Sequence, residues 1–467
     1  MTKDAVGSNS SWQLIHALLF LLAGSFLLAE AFASGSGGDF SFAALALTFA
    51  VLAAVGRLGK SVLRDWFELL SPVTLVCLTY VFYFFVVLAV NPDTETFTEV
   101  YVACTCCLSI LFVTVLWPWS SVLYRAPRAA YKETVGKGPV VLFLLSGLGW
   151  VFLIAAAYLG GVGSLVNVYA DPLRMRVLMS NGGMAYFKLI CDFLVLMPPQ
   201  IAAMRRFSLR HRSLEFPVLL LSGVFYSLAS GSRSMTVSLL INVLLLRQFL
   251  KKPVRPLVLA LSAGLVVPFV ALMGIYRNIS TQGSQDLAAI ARIVSDLGPA
   301  KVVLLFVSRL DASYYFNLLI RSRDRIHLTY GVSYFTWPLQ AIPRAVWPGK
   351  PLLPNTSLTY RLVTGPSAKV TFDFSIFGES YLNFGLLGIV SGALAVALFT
   401  LYMQKRYDRL LRTKSLSDAL FFVTTWGFPM FLVVNGVVGA ATVFCLQLCQ
   451  FWVARRLFIS RQLTHEP

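Results

Sequence analysis

Charge is the scarcest ingredient of this chain. Of its 467 residues only 13% are Asp, Glu, Lys or Arg, while 57% are hydrophobic. An average soluble domain carries about twice that share of charge. Too little polar surface remains to cover a water-soluble globule, and the same figures exclude a disordered chain, a collagen, a coiled coil and a secreted disulfide scaffold. Acidic groups are rarer than basic ones, 21 against 39. The seven cysteines (Cys77, Cys104, Cys106, Cys107, Cys191, Cys445, Cys449) all fall inside apolar runs. With no soluble-loop pair and no histidine near Cys104, Cys106 and Cys107, they read as small hydrophobes rather than disulfides or zinc ligands. Neither a G-x-x-x-x-G-K-[ST] loop nor a Rossmann fingerprint occurs, so energy is expected from an activated substrate or a gradient. There is no Asp-x-Asp pair, and no metal or other cofactor is expected. An internal repeat of the kind many transporters carry is also lacking.

What the chain has instead is apolar runs of about 20 residues, the length that crosses a bilayer as a helix. They predict an all-α, multi-pass membrane protein of about twelve spans. The expected spans lie near 12–34, 40–56, 71–90, 100–122, 139–162, 185–204, 214–230, 234–250, 256–276, 380–403, 419–434 and 437–454. The first run is too long for a signal peptide and lacks a small-residue cleavage site, so it is expected to be retained.

The net charge of +18 does not point to nucleic acid, because the basic residues gather in short clusters between apolar runs. Arg57, Lys60 and Arg64; Arg125, Arg128, Lys132 and Lys137; Arg205, Arg206, Arg210 and Arg212 fall on one side. So do Arg247, Lys251, Lys252 and Arg255; Lys405, Arg406, Arg409, Arg412 and Lys414; and Arg455, Arg456 and Arg461. The short connections at 35–39, 91–99 and 435–436 contain none. The positive-inside bias then places both termini in the cytoplasm.

Positive charge outside has no topological use, and this makes the remaining basic residues informative. Arg174 and Arg176 lie in an exterior connection, and Arg233 lies in the turn Gly231-Ser232-Arg233. The long segment 277–379 holds eleven basic residues (Arg277, Arg292, Lys301, Arg309, Arg321, Arg323, Arg325, Arg344, Lys350, Arg361, Lys369) against six acidic ones. Its apolar stretches Leu287–Ile293, Val302–Leu310 and Tyr314–Ile320 predict a cap of amphipathic helices on the outer leaflet. A span at 302–320 would have to bury Arg309 and Asp311, at roughly 2.5–3.5 kcal/mol for each charge, so this stretch is expected outside. The chain then divides into spans at 1–276, a cap at 277–379, and spans plus tail at 380–467. Arginine forks beside lipid suit the diphosphate of a lipid-linked substrate.

Three motifs resemble a known family. They are Tyr330-Gly331-Val332-Ser333-Tyr334 followed by Ile342-Pro343-Arg344-Ala345-Val346-Trp347-Pro348-Gly349-Lys350-Pro351; Phe377-Gly378-Glu379-Ser380-Tyr381-Leu382-Asn383-Phe384-Gly385; and the turn Ser230-Gly231-Ser232-Arg233. Together they resemble the oligosaccharide repeat-unit polymerases, the Wzy-type O-antigen and exopolysaccharide polymerases of bacterial inner membranes. The resemblance implies a metal-independent, lipid-donor glycosyltransferase of GT-C-like architecture. Its partners would be undecaprenyl-diphosphate-linked glycan, the bilayer and a chain-length-regulating co-polymerase, with no nucleic acid.

Roles follow from that chemistry. Departing diphosphate gathers negative charge, which preorganised cations stabilise; Arg344, Arg233, Arg277 and Lys350 are the candidates, with Arg325 beside them in the same cap. The acceptor hydroxyl needs a base within hydrogen-bond reach. Glu379, where cap meets span, leads, with Asp311, Asp373 and His327 as alternatives. Trp337, Trp347 and Tyr381 either stack on sugar rings or mark the interface. Within the spans, Asp192 is expected to pair with Lys188 one turn away, and Gly388-x-x-x-Gly392 to serve helix packing. An O-antigen ligase-type transferase and a lipid-linked glycan flippase are the competing readings. A flippase should line its spans with polar groups, whereas here charge collects outside them.

Overall fold

The computed structural model describes residues 71–80, 131–136, 138–163, 165–170, 184–208, 214–230, 233–251, 319, 327–340, 342, 347, 349 and 375–463. The expected spans at 12–34, 40–56, 100–122 and 256–276, the end of that at 71–90, and most of the cap lie outside them. The elements in chain order are α1 (Pro72–Tyr80), β1 (Tyr131–Val135), α2 (Pro139–Leu159), α3 (Leu165–Ala170), α4 (Met184–Ser208), α5 (Glu215–Ala229) and α6 (Arg233–Leu250). They continue with α7 (Val332–Gln340), α8 (Ile376–Thr413), α9 (Leu416–Thr425), α10 (Phe428–Phe458) and β2 (Ile459–Leu463).

Helix dominates because the runs are rich in Leu, Ala and Phe and no partner but helix satisfies the backbone in an apolar surround. Among the described residues three helical segments are long and apolar enough to cross a bilayer: Pro139–Leu159, Ile376–Thr413 and Leu416–Val434. On α2 the two faces separate cleanly. Leu142, Ser146, Gly149, Leu153 and Ala156 are buried, while Val140, Leu144, Val151, Tyr158 and Leu159 are more than half exposed. An exposed face made of large apolar side chains fits lipid rather than water. Gly149 lets α2 approach α4 closely, where a Cβ would press on Val195 and Leu194.

Two glycines reverse the chain. Gly385 (φ +62°, ψ −140°) breaks α8, and the two limbs run back along each other. A Cβ at Gly388 would strike the Ser380 carbonyl, and one at Gly392 would lie 2.6 Å from the Ser380 hydroxyl and 3.5 Å from the Ile376 carbonyl. In a straight helix residues 376 and 392 would stand about 24 Å apart. The expected span at 380–403 is therefore corrected: residues 376–384 fold back as a short limb, and the crossing begins after Gly385. The glycine pair does serve helix packing, against its own preceding limb. Gly436 (φ +75°, ψ −179°) reverses α10 in the same way. The Phe428 and Phe444 rings sit 4.3 Å apart, and Phe421 and Phe451 5.3 Å apart, so the limbs before and after Gly436 form a hairpin. Its position matches the expected short connection at 435–436.

One end of the bundle gathers basic segments. β1 and β2 pair antiparallel, Glu133 opposite Arg461, joining the 131–137 segment to the C-terminal one. This pair departs from an all-α expectation. Five-residue stretches as polar as Tyr131–Val135 and Ile459–Leu463 carry too weak a pattern to be read against long apolar runs. The Glu133 carboxylate accepts from the Ser415 hydroxyl at 2.7 Å, the Ser417 N–H at 2.8 Å and the Ser417 hydroxyl at 2.7 Å, tying β1 to the start of α9. Arg409 meets Asp418 at 2.9 Å, and Phe249 of α6 packs on Tyr407 and Phe422. Arg205 at the end of α4 meets Glu215 at the start of α5 at 3.2 Å.

Candidate functional site

The opposite end carries the described parts of the motifs: Ser230, the Tyr330–Tyr334 turn and the Phe377–Gly385 limb. Here the first limb of α8 starts at Ser375, whose hydroxyl accepts from the Gly378 N–H and caps the helix. Most of the limb is internal: Phe377, Gly378, Glu379, Ser380, Leu382 and Asn383 are buried.

Asn383 is the hub that binds two motifs into one unit. Its Oδ1 accepts from the Thr329 hydroxyl at 2.7 Å, the Gly331 N–H at 3.0 Å and the Ser333 hydroxyl at 3.1 Å. Its Nδ2 donates to the Ser333 oxygen at 2.7 Å and to the Glu379 carbonyl at 2.8 Å. The main chain adds Thr329 N–H to Leu382 O and Tyr330 N–H to Asn383 O, both at 3.0 Å. Tyr334 and Ser380 share a hydroxyl bond of 2.9 Å, and burial pushes the Tyr334 phenol up to about 12, so it stays protonated at neutral pH. These contacts force a tight turn. Tyr330 (φ +47°) and Gly331 (φ +85°) are both left-handed, a strained state for a tyrosine. The Tyr330 side chain is 75% exposed above the buried polar cluster, with Phe335 and Phe384 flanking Gly331.

Glu379 is only 1% exposed. Its Oε2 accepts the backbone N–H of Val437, the first residue past the Gly436 corner. The leading candidate base thus braces one chain reversal against the other. His327 is exposed two residues ahead of the pinned Thr329, and Trp347 is exposed as well. Arg233 opens α6, but its side chain lies outside the described residues. Arg344, Asp311, Arg277, Arg325, Lys350 and Asp373 also lie outside them. The structure therefore brings together Glu379 and the Tyr330–Tyr334 turn.

Asn383 and Ser333 belong to the motifs and Thr329 stands beside one, but their role as the joint between the two motifs emerges only from the fold. The signal was present: Asn383 follows Glu379 by one helical turn at the head of a long apolar run, and a polar pair so placed demands partners. Lys188 and Asp192 form the expected pair, at 2.6 Å. Cys191 is buried and unbridged, as a small hydrophobe should be. Among the described residues no group of three His, Cys, Asp or Glu side chains gathers to hold a metal ion. No family model, curated protein or solved structure matches this chain.

Proposed function

We propose that this protein is a repeat-unit polymerase of the bacterial inner membrane. In this reading it has about twelve spans, cytoplasmic termini, a GT-C-like arrangement and its active face outside. It joins undecaprenyl-diphosphate-linked oligosaccharides, transferring the growing glycan from its lipid carrier to the non-reducing end of a new lipid-linked unit. The observation that carries the reading is the union of the Tyr330–Tyr334 turn with the Glu379–Asn383 limb through one buried asparagine, at the end remote from the basic clusters. Two sequence motifs far apart in the chain converge on one built structure, and between them runs the cationic segment that holds Arg344.

The chemistry balances without a metal. The bond between the anomeric carbon and the diphosphate oxygen breaks, and the leaving diphosphate keeps the electron pair. Arg344, Arg233 and Arg277, with Lys350 and Arg325, neutralise the charge that develops there. The acceptor hydroxyl forms the new glycosidic bond and gives its proton to a carboxylate, Glu379 in this assignment. A co-polymerase that sets chain length is the proposed partner.

The test is Arg344→Ala. Polymer should disappear and the lipid-linked single unit accumulate, while the amount of protein in the membrane is unchanged. Arg344→Lys should restore only part, because lysine lacks the guanidinium fork. Near-normal polymer from the alanine variant would refute the assignment.

A further inference from the structure

Between α4, α5 and α6, about one turn beneath the Ser230–Arg233 turn, lies a polar network that the proposed chemistry does not use. Lys188 and Asp192 form their ion pair on α4 at 2.6 Å, and the other Asp192 oxygen accepts from the Tyr226 hydroxyl of α5 at 2.8 Å. Asp192 is 5% exposed and Tyr226 fully buried. The Lys188 ammonium also reaches Met235 Sδ of α6 at 3.7 Å. Ser230, at the end of α5, donates to the Ser227 carbonyl at 3.0 Å and stands 3.9 Å from the same sulfur. From α2, Trp150 meets the Tyr226 ring edge-on at 5.9 Å and donates its indole N–H to Ser222.

Stability alone does not account for this cluster. Replacing a buried ion pair with well-packed apolar side chains is often neutral or favourable, and ionisable groups in apolar bundles mark function more often than strength. What the cluster does supply is registry. Its members lie on two helices, α4 and α5, and reach a third through Met235 of α6, whose sulfur the Lys188 ammonium touches and the Ser230 hydroxyl approaches; the Ser230 N–H also bonds the Tyr226 carbonyl. Arg205 and Glu215 fix α4 to α5 at the basic end, so the Asp192 cluster fixes them at the other.

We infer that the Lys188–Asp192–Tyr226 network is a positioning device for the junction of α5 and α6, fixing the helix start that carries Arg233, the residue proposed above to meet the diphosphate of the lipid-linked donor. The ligand rests on the proposed function; the positioning rests on the three-helix geometry. Asp192 and Tyr226 touch no substrate and act only through that junction.

Two variants test it in full-length protein in nanodiscs. The donor is lipid-linked repeat unit extracted from cells lacking this gene, and the inhibitor is undecaprenyl diphosphate. Tyr226→Phe removes one hydroxyl and keeps the ring against Trp150, so it folds even if Asp192→Asn does not. In Tyr226→Phe, KM for the donor and the inhibition constant of undecaprenyl diphosphate should rise together, roughly three- to thirtyfold, the coupling expected within one hydrogen-bond network. The kcat should fall as they rise, because Arg233 also neutralises the charge that develops on the leaving diphosphate. A fall in kcat at unchanged KM, or no change in either, overturns the inference. A second readout does not depend on activity: the rate at which a maleimide labels Ser232→Cys should shift when Tyr226→Phe is added. An unshifted rate overturns the positioning role. A shifted rate in a protein whose wild type neither elongates glycan nor binds undecaprenyl diphosphate keeps the positioning role and removes the proposed function.

Discussion

At Glu379 a carboxylate with 1% exposure accepts a main-chain N–H from across the Gly436 corner, and the same group is the proposed base. Glutamine separates the two roles, because its amide oxygen still accepts from Val437 but takes up no proton. Glu379→Gln should keep the protein at wild-type abundance and remove at least about 100-fold of polymerisation, the lower range for a general base. Glu379→Ala should also lower abundance, since it removes the brace. Full activity in the glutamine variant would leave Glu379 as a brace alone and pass the base role to Asp311, Asp373 or His327. Its place at the cap–span junction is what marks Glu379 as a candidate in the sequence. Its attachment to Val437 was not legible there, because 58 residues separate the two and hydropathy carries no pairing information.

Among the elements, the fold-back at Gly385 departs most from the pattern of the sequence. An apolar run shows how long a helix is but not which way it points, so 376–413 reads as one segment although it contains a reversal. The clues were local: a glycine between Phe384 and Leu386, and Gly388 and Gly392 spaced to admit a close neighbour. Gly388→Ala puts a methyl against the Ser380 carbonyl, a backbone atom that cannot swing aside. Overpacking of this kind costs about 1–3 kcal/mol. The expected outcome is a lower unfolding temperature in detergent and loss of polymer, measured by a thermal melt of the purified variant. Alanine at Gly147, where nothing lies within 4 Å of the added Cβ, is the control and should melt like wild type. The hairpin at Gly436 was readable because two apolar runs meet there with no charge between them.

For the whole molecule the sequence conveyed the grouping of the described basic segments, and architecture in part. Among the described residues, the basic segments at 131–136, 405–414 and 455–463, assigned to one face on charge alone, do meet: β1 pairs with β2, Glu133 caps the start of α9, and Arg409 meets Asp418. The motif turn lies at the far end. Cysteines placed at Lys132 and at Arg461 should therefore resist a membrane-impermeant maleimide in intact cells and react after lysis, whereas one at the exposed Tyr330 should react in intact cells. Equal labelling at all three would contradict the orientation. The small β pair was not legible, since five-residue polar strands stabilise each other only once distant segments are brought together.

The central claim is polymerisation of lipid-linked units, and mass spectrometry of the undecaprenyl-linked glycan pool in cells lacking this gene tests it most directly. The account predicts single repeat units accumulating on the carrier, with no longer lipid-linked chains. Long lipid-linked polymer that never reaches its final acceptor would contradict it and identify a ligase instead.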